Sequence, residues 1–283
     1  MSKAHVAPKK PNVLKALFKV EKPIIGMVHL GPLPGSPSYQ PNSWSKVIDN
    51  ALRDAVALRD GGVDGLIVEN FMDRPFMKPD DVGSETVACM AVAAAEVRKA
   101  SGLPIGISCL ANAVTQAFSI ALASGARWVR ANEWANAYIA DEGFVEAAAP
   151  KALRHRSNLR ADHINVFADV MVKHGSHFII SDRGVEEQVR DIEFFQADAV
   201  IVTGSRTGAE PRTEELKKVK AVANIPVIVG SGLTPDNASR LLGVSDAGIV
   251  GTFFKREGRW WNPVEPSRVR KFMRTVGRLR SGR

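Results

Sequence analysis

Short apolar runs alternate with longer amphipathic stretches along the chain from residue 23 to its end. Each run is β-branched or continuously apolar, which is typical of a strand buried on both faces of a parallel sheet. The stretches between them have the apolar spacing of helices, and several end at glycine, a common helix stop. The predicted strands are residues 24–29, 65–69, 104–109, 127–130, 164–170, 199–203, 226–230 and 247–251.

The strict alternation of strand and helix, repeated eight times, predicts an α/β protein with a single (β/α)8 barrel. The predicted helices are residues 44–60, 84–100, 113–124, 145–159, 185–196, 213–223 and 235–242. Thr234-Pro235 is typical of the start of the last of these, and Asn262-Pro263 indicates the start of one more helix. A doubly wound open sheet is the alternative, but no GxGxxG motif follows the first strand. We expect residues 1–20 to be a flexible lead-in and residues 21–283 to form the barrel, with a basic helix or tail at its end.

Composition narrows the class of protein. The chain has 283 residues, of which 45% are hydrophobic and 24% charged, so disorder, collagen and coiled coil are excluded as overall descriptions. The longest apolar run, residues 87–95, is far shorter than the ~20 residues of a membrane-spanning helix. Two cysteines cannot form a disulfide framework. We therefore expect a soluble protein of the cytoplasm.

The positive charge is concentrated at the end of the chain. Residues 255–283 contain ten Lys or Arg and two Glu, a difference that equals the whole formal charge of +8. Such a tail can bind RNA, an anionic membrane or an acidic partner. It is not accompanied by an RNA-binding motif in which aromatic residues alternate with basic ones. We expect a solvated last helix, no specific nucleic-acid partner, and at most peripheral contact with a membrane or an acidic partner.

Two glycine-rich segments follow the last two predicted strands. Gly230, Ser231 and Gly232 end the seventh strand, and Gly251 and Thr252 end the eighth. Glycines at strand ends let backbone N–H groups approach an anion, and the loops after strands seven and eight are the usual phosphate site of (β/α)8 barrels. Tight strand–helix turns also favour glycine, but the coincidence of both segments at this place favours phosphate binding.

Polar side chains at the other strand ends are candidates for chemistry, because barrel enzymes place their active sites at the carboxyl ends of the strands. The candidate catalytic residues are His29, Glu69, Asp169, Lys173 and His174. The candidate substrate-binding residues are Asn70, Arg130, Asn132, Thr203 and Gly204.

Several roles remain open among these residues. His29 is the leading proton carrier, since an unperturbed pKa of about 6.5 suits neutral pH, although it could be a packed turn residue. Lys173 is interpreted as an anion clamp in preference to a Schiff-base nucleophile, and Asp169 as a partner for a cation or a histidine. His29, Glu69, Asp169 and His174 are of types that bind metals, but the two histidines separated by one residue that metallohydrolases carry after strand one are absent. We predict no cofactor and leave the metal open.

The strand-end motifs resemble the BtpA/SgcQ family. The resemblance is carried by GMVHLGPLPG at residues 26–35, EN at 69–70, FADV at 167–170, ADAVIVTG at 197–204, GSG at 230–232 and IVGT at 249–252, and it covers about residues 20–275. The family implies a single-domain barrel whose members are linked by name to photosystem I biogenesis or occur with sugar-phosphate genes. Met171 stands where the family usually has a histidine, and residues 133–137 and 174–177 also depart from the family pattern.

These observations favour an enzyme that acts on a small phosphorylated sugar or nucleotide-derived metabolite by acid–base chemistry, as an isomerase, a lyase or aldolase, or an enzyme of C–N cleavage. The alternative is a non-catalytic assembly factor for a membrane complex, as the family name suggests. An RNA-binding barrel is less favoured, because residues 1–254 carry no net charge. We expect the protein to be a homo-oligomer.

Overall fold

Eight parallel strands close into a barrel in the computed structural model, which describes residues 10–282. Each strand lies within one residue of its predicted bounds, and the (β/α)8 prediction is confirmed. The barrel strands, in chain order, are β1 (Ile24–His29), β2 (Gly65–Glu69), β3 (Ile105–Ser108), β4 (Trp128–Ala131), β7 (Asn165–Val170), β8 (Ala199–Val202), β9 (Val227–Val229) and β10 (Ala247–Val250). Strands β9 and β10 are the seventh and eighth of the barrel, and β10 pairs with β1 to close it.

Helices connect the strands and cover the outside of the barrel. Their apolar faces pack on the outer faces of the strands in one continuous core. The helices are α1 (Val13–Phe18), α2 (Trp44–Asp60), α3 (Ser84–Ser101), α4 (Val114–Ser124), α5 (Ala149–Asn158), α6 (Val185–Phe194), α7 (Thr213–Val222), α8 (Ala238–Gly243) and α9 (Pro266–Arg280). Within residues 10–282, every helix is too short or too polar to cross a bilayer.

The inside of the barrel is a second apolar core, formed by the inward-facing side chains of the strands. Its largest member is Trp128 of β4, which stacks on Phe167 of β7 with a centroid distance of 5.4 Å. A Cβ atom on Gly106 of β3 would lie 2.1 Å from the indole nitrogen of Trp128, so only glycine leaves room for this ring. The barrel interior is therefore filled, and the free space lies at its ends.

Helix α1 closes the amino end of the barrel, although residues 1–20 were expected to be a flexible lead-in. Asn12 caps this helix by accepting hydrogen bonds from the N–H groups of Leu14 and Lys15. Phe18 packs edge-on against Trp128 at a centroid distance of 5.4 Å. The six-residue helix forms because its apolar face covers the open end of the inner core. Residues 1–9, the first part of the expected lead-in, lie outside the described residues.

A β-hairpin follows β4 and overlaps the start of the helix that was predicted over residues 145–159. Strands β5 (Ala137–Ala140) and β6 (Gly143–Glu146) pair antiparallel, and the helix begins only at Ala149. Tyr138 and Val145 form a small apolar cluster with Val172, which lies beyond β7. This contact with a distant segment overrides the local helical pattern.

Two further helices, α8 and α9, also begin later than predicted, each by three residues. Helix α8 begins at Ala238 rather than after Thr234, because Asn237 accepts a hydrogen bond from the N–H of Thr234 in a preceding turn (2.8 Å). Helix α9 begins at Pro266 rather than at Pro263. The N–H of Val264 donates to the buried Asp54 (3.0 Å), which keeps that segment extended.

Helix α9 carries six of the ten basic residues of the chain end, and four of them are exposed: Arg270, Lys271, Arg274 and Arg278. Lys255 does not fit the expected solvated end, because it is buried and pairs with Asp54 (2.7 Å). Val269, Phe272 and Val276 of α9 are buried against the barrel. Basic residues at the two ends of α9 bind other segments of the chain. Arg268 donates to the carbonyl of Phe253, and Arg280 pairs with Asp64. Arg283 lies outside the described residues.

Candidate active site

The carboxyl ends of the barrel strands form a polar layer above the apolar interior. His29, Glu69 and Ser108 lie side by side in register on β1, β2 and β3. Arg130 and Asp169 belong to the same layer on β4 and β7. Side chains alternate between the two faces of a strand, so a residue two positions after an inward-facing apolar residue also faces inward. Each residue of this layer holds such a position at the end of its strand.

Arg130 and Asp169 form a buried bidentate ion pair. Arg130 donates from Nε to Asp169 Oδ2 (3.0 Å) and from Nη2 to Oδ1 (2.9 Å), and Asn132 Nδ2 adds a third hydrogen bond to Oδ2 (3.2 Å). The Asp169 side chain is fully buried. The two parallel hydrogen bonds fix the guanidinium at the bottom of the barrel mouth, which is the opening formed by the carboxyl ends of the strands. Asp169 therefore acts on a ligand only through Arg130 and Asn132.

His29 is largely buried between an acid and an aromatic ring. Its Nε2 lies 3.7 Å from Glu69 Oε1, and its ring stacks on Phe71 with a centroid distance of 4.6 Å. Burial, together with the positive charges of Lys255 and Lys173, lowers the pKa of His29 well below its ordinary value. The imidazole is neutral at pH 7, so it begins a reaction as a proton acceptor or as a neutral hydrogen-bond donor. His29 lies at the end of β1 as expected, but its pKa is lowered from the unperturbed value, and its role as a proton carrier stays a prediction.

Lys173 is an unpaired cation beside this group. Within the described chain, no carboxylate oxygen lies close enough to its Nζ to form a salt bridge. Burial lowers the pKa of Lys173 to about 8, and the charge of Arg130 adds to this effect while Glu69 and Asp169 oppose it. The backbone N–H of Lys173 donates to Thr203 Oγ1 (3.2 Å), which fixes the start of the loop. The ammonium is therefore available to an anion.

The glycine segments after β9 and β10 line a small compartment next to Lys173. Its volume is about 40 Å³, and it is bounded by His29, Lys173, Gly208, residues 230–232 and residues 251–252. Since about 10–15 Å³ of such space holds one water molecule, it accommodates a group of the size of a phosphoryl head. The structure brings together all five residues predicted to bind phosphate.

The serine and second glycine of the 230–232 segment also shape the adjacent loop. Ser231 Oγ accepts from the N–H of Gly204 (3.0 Å) and donates to the carbonyl of Ala209 (2.7 Å), so its hydroxyl is occupied by the fold. Gly232 has a φ of +71°, and a Cβ there would lie 2.3 Å from the backbone nitrogen of Glu210. What Ser231 offers to an anion is its backbone.

A wider cavity of about 420 Å³ continues from this compartment toward solvent. Five residues line both spaces: Glu69, Phe71, Arg130, Lys173 and Thr207. The hairpin contributes Tyr138 and its tip, and Trp260 from the segment between β10 and α9 contributes an aromatic wall. A single ligand can thus place one end in the small compartment and its body in the wide cavity.

Some of the predicted residues stand behind the cavity walls. Asn70 accepts from the N–H of Leu110 (2.8 Å) and holds the loop after β3, while Thr203 and Gly204 take part in the loop bonds described above. None of these three lines either space. His174 lines the wide cavity, and its Nε2 accepts from the N–H of Thr207 (3.1 Å). Burial and Lys173 lower its pKa, so it is neutral at pH 7.

Several cavity residues were not among the sequence candidates. Phe71, Tyr138, Thr207 and Trp260 line the cavity, and Ser108 has a buried hydroxyl with no hydrogen-bond partner within the described residues. Ser108 could have been predicted from the sequence, because it ends β3 two residues after an inward-facing glycine. No strand pattern pointed to Tyr138 or Trp260, because they reach the cavity from segments outside the barrel strands.

The candidate metal ligands do not converge. Across residues 10–282, no three His, Cys, Asp or Glu side chains are arranged to hold a metal ion. Asp169 is bonded to Arg130, and His174 points to Thr207. Another buried acid, Glu133, lies near Asp169, and burial raises its pKa to about 8.

A closed eight-stranded barrel with a polar mouth and glycine-rich ends on its last two strands defines a (β/α)8 protein with its site at the carboxyl ends of the strands. The chain belongs to the BtpA family, whose model matches residues 20–278. It is 42% identical over 257 residues to an uncharacterised protein of Archaeoglobus fulgidus, which covers 91% of this chain and 99% of that protein. It is 36% identical over 261 residues to the photosystem I biogenesis protein BtpA of Synechocystis, which covers 92% of this chain and 89% of that protein.

Solved structures share the fold at low sequence identity. N-(5'-phosphoribosyl)anthranilate isomerase from Pyrococcus furiosus superposes with a TM-score of 0.55 at 12% identity, over 90% of this chain and 98% of the isomerase. This likeness agrees with the barrel topology described above.

Proposed function

We propose that the protein is an enzyme of a small phosphorylated metabolite, with the phosphate held at the ends of β9 and β10 and acid–base chemistry performed by residues of β1, β2 and the loop after β7. The observation that carries this proposal is the continuity of the glycine-lined compartment with the wide cavity through Lys173 and Arg130. The isomerase with the same fold is named for a phosphorylated substrate, which supports the proposal.

The charge of each side chain determines the role that we propose for it. Lys173 and the backbone amides of the glycine segments bind the phosphate or a developing oxyanion. His29 moves a proton, with Glu69 beside it to stabilise the imidazolium that forms. Arg130, fixed by Asp169, orients the carbon skeleton. Binding energy from the phosphate is remote from the reacting bond, which is how such an anchor positions a small substrate.

The name of the Synechocystis relative supports a second proposal, an assembly factor for a membrane complex. The charged mouth favours the enzyme. A half-buried lysine with no ion-pair partner among residues 10–282 and a buried histidine–glutamate pair both cost stability, and such groups are concentrated at functional sites.

Gly251→Ala tests the phosphate site. A Cβ at residue 251 would lie 3.4 Å from His29 Cε1, so alanine enters the compartment without a backbone clash. We expect the affinity for inorganic phosphate, measured by calorimetry, to fall about tenfold or more, because the added methyl group takes up space in the compartment and keeps the phosphate from at least one backbone N–H.

Gly277→Ala is the matched control, because a Cβ at that position on α9 would have no atom of residues 10–282 within 4 Å. It should bind phosphate as the wild type does. Equal affinities of the two variants for phosphate would refute the proposed anchor.

The lysine role predicts a pH dependence. The ammonium of Lys173 is lost as the pH rises through about 8, so sulfate, which does not titrate in this range, should bind about tenfold more weakly for each pH unit above 8. Lys173→Met should bind weakly at every pH.

Glu133 titrates in the same range and serves as the control. Glu133→Gln should keep the pH dependence of sulfate affinity if Lys173 is its source. A borohydride-stable adduct of a sugar phosphate at Lys173 would instead show that the amine is a nucleophile and contradict the clamp.

A further inference from the structure

The wide cavity is much larger than the phosphate compartment and differs from it in chemistry. It has a volume of about 420 Å³ against about 40 Å³. Glycine backbone and polar or charged side chains form most of the lining of the small compartment, with Met27 and Phe71 as its apolar members. The wide cavity has aromatic side chains on several sides. A ligand that fills both spaces must therefore be polar at one end and offer a flat, weakly polar surface at the other.

The aromatic walls come from separate parts of the fold. Phe71 follows β2, Tyr138 is on the hairpin, and Trp260 precedes α9. Phe71 and Trp260 pack edge to face with their centroids 5.3 Å apart, which fixes the angle between these two walls. Tyr138 stacks on His177 with a centroid distance of 5.4 Å, so its ring is also held in place. The aromatic surfaces are preorganised before any ligand binds.

The rim of the cavity carries polar groups of both signs. Arg74 lies over the Trp260 ring, with its guanidinium carbon 4.6 Å from the centroid. Asp141 and Glu142, at the hairpin tip, offer carboxylate acceptors, and Arg206 offers donors from the loop after β8. Flat aromatic walls with donors and acceptors around the edge match a heterocyclic base, whose faces stack and whose edges form hydrogen bonds.

A sugar phosphate alone matches only the polar part of this lining. Its hydroxyl groups can bond to the charged residues, but it offers no flat, unsaturated group to stack on the aromatic walls. The ribose of a nucleotide, by contrast, lies between phosphate and base, which places it beside the polar residues that both spaces share, such as Glu69 and Arg130.

We infer that the wide cavity is a subsite for a nucleobase or a similar nitrogen heterocycle, and that the ligand is a nucleoside monophosphate or a related phosphoribosyl compound. This inference rests on the proposed function, because it takes the phosphate to lie in the glycine-lined compartment. It adds the chemical class of the group attached to the phosphate, and it makes Trp260 a specificity-determining residue.

The test compares the affinities of ribose 5-phosphate and of AMP, GMP, CMP and UMP by calorimetry, with inorganic phosphate as competitor. We expect at least one nucleotide to bind about tenfold or more tightly than ribose 5-phosphate, as base stacking on an aromatic ring predicts. Trp260→Leu should remove this advantage and leave the affinity for ribose 5-phosphate unchanged. Trp261→Leu is the matched control: Trp261 packs on Trp260 but does not line the cavity, so the advantage should remain.

The outcomes separate this inference from the proposed function. If ribose 5-phosphate binds and competes with phosphate but no nucleotide binds more tightly, the base subsite is wrong and the phosphate anchor stands. A nucleotide advantage that survives Trp260→Leu also overturns the subsite. If no phosphate ester binds, both proposals fail.

Discussion

Asp169→Ala is expected to lower the free energy of unfolding by about 3–5 kcal/mol, the cost of removing one partner from a buried ion pair. The substitution leaves the Arg130 guanidinium buried without its bidentate acceptor, and it also removes the acceptor of Asn132. Chemical denaturation followed by circular dichroism measures this change. Asp169→Asn, which keeps one carbonyl acceptor, should be less destabilising.

Asp80→Ala provides the matched control, because it also removes an aspartate that pairs with a cation at 2.9 Å. Lys151 and Asp80 are both exposed, so solvent screens their pair and the change in stability should be far smaller. Equal effects of the two substitutions would show that burial of Asp169 does not govern its contribution.

Phe18→Ala is expected to destabilise the barrel by about 3 kcal/mol, near the lower end of the range for buried phenylalanine, since its ring closes one end of the inner core. The ring is 8% exposed and contacts Trp128, so its removal opens a cavity beneath the tryptophan. The midpoint of thermal unfolding should fall accordingly.

Phe194→Ala is the control for the loss of an aromatic ring as such. Phe194 is 78% exposed, and its replacement should change the unfolding free energy by no more than about 0.5 kcal/mol. If the Phe18→Ala variant were as stable as the wild type, α1 would not contribute to the stability of the barrel core.

The success of the strand predictions has a local cause. Each barrel strand is buried on both faces, so its residues are apolar whatever their neighbours are, and the pattern is readable from five or six consecutive residues. The alternation of side chains along a strand also predicts where the polar residues lie. A side chain at the last inward-facing position of a strand lies at the mouth of the barrel. His29, Glu69, Arg130 and Asp169 were predictable for that reason.

The secondary structure outside the barrel strands was less predictable. The hairpin of β5 and β6 replaces the first turn of a predicted helix because Tyr138 and Val145 pack on Val172. It lies next to residues 133–137, one of the stretches that departs from the family pattern, and Ile139 pairs with Ser176 in another. The local sequence does not predict a contact between segments that lie so far apart in the chain.

The barrel, the order of its strands and the set of polar residues at their ends could be predicted from the sequence, because continuous apolar runs and glycine at strand ends are local properties of the chain. Which of these residues face the cavity depends on contacts between segments that are distant in the chain. Asn70, Thr203 and the Ser231 hydroxyl are taken up by loop bonds, while Tyr138 and Trp260 reach the cavity from outside the barrel. The tertiary structure also decided the charge states, since the pKa values of His29 and Lys173 depend on burial and on charges brought close by folding.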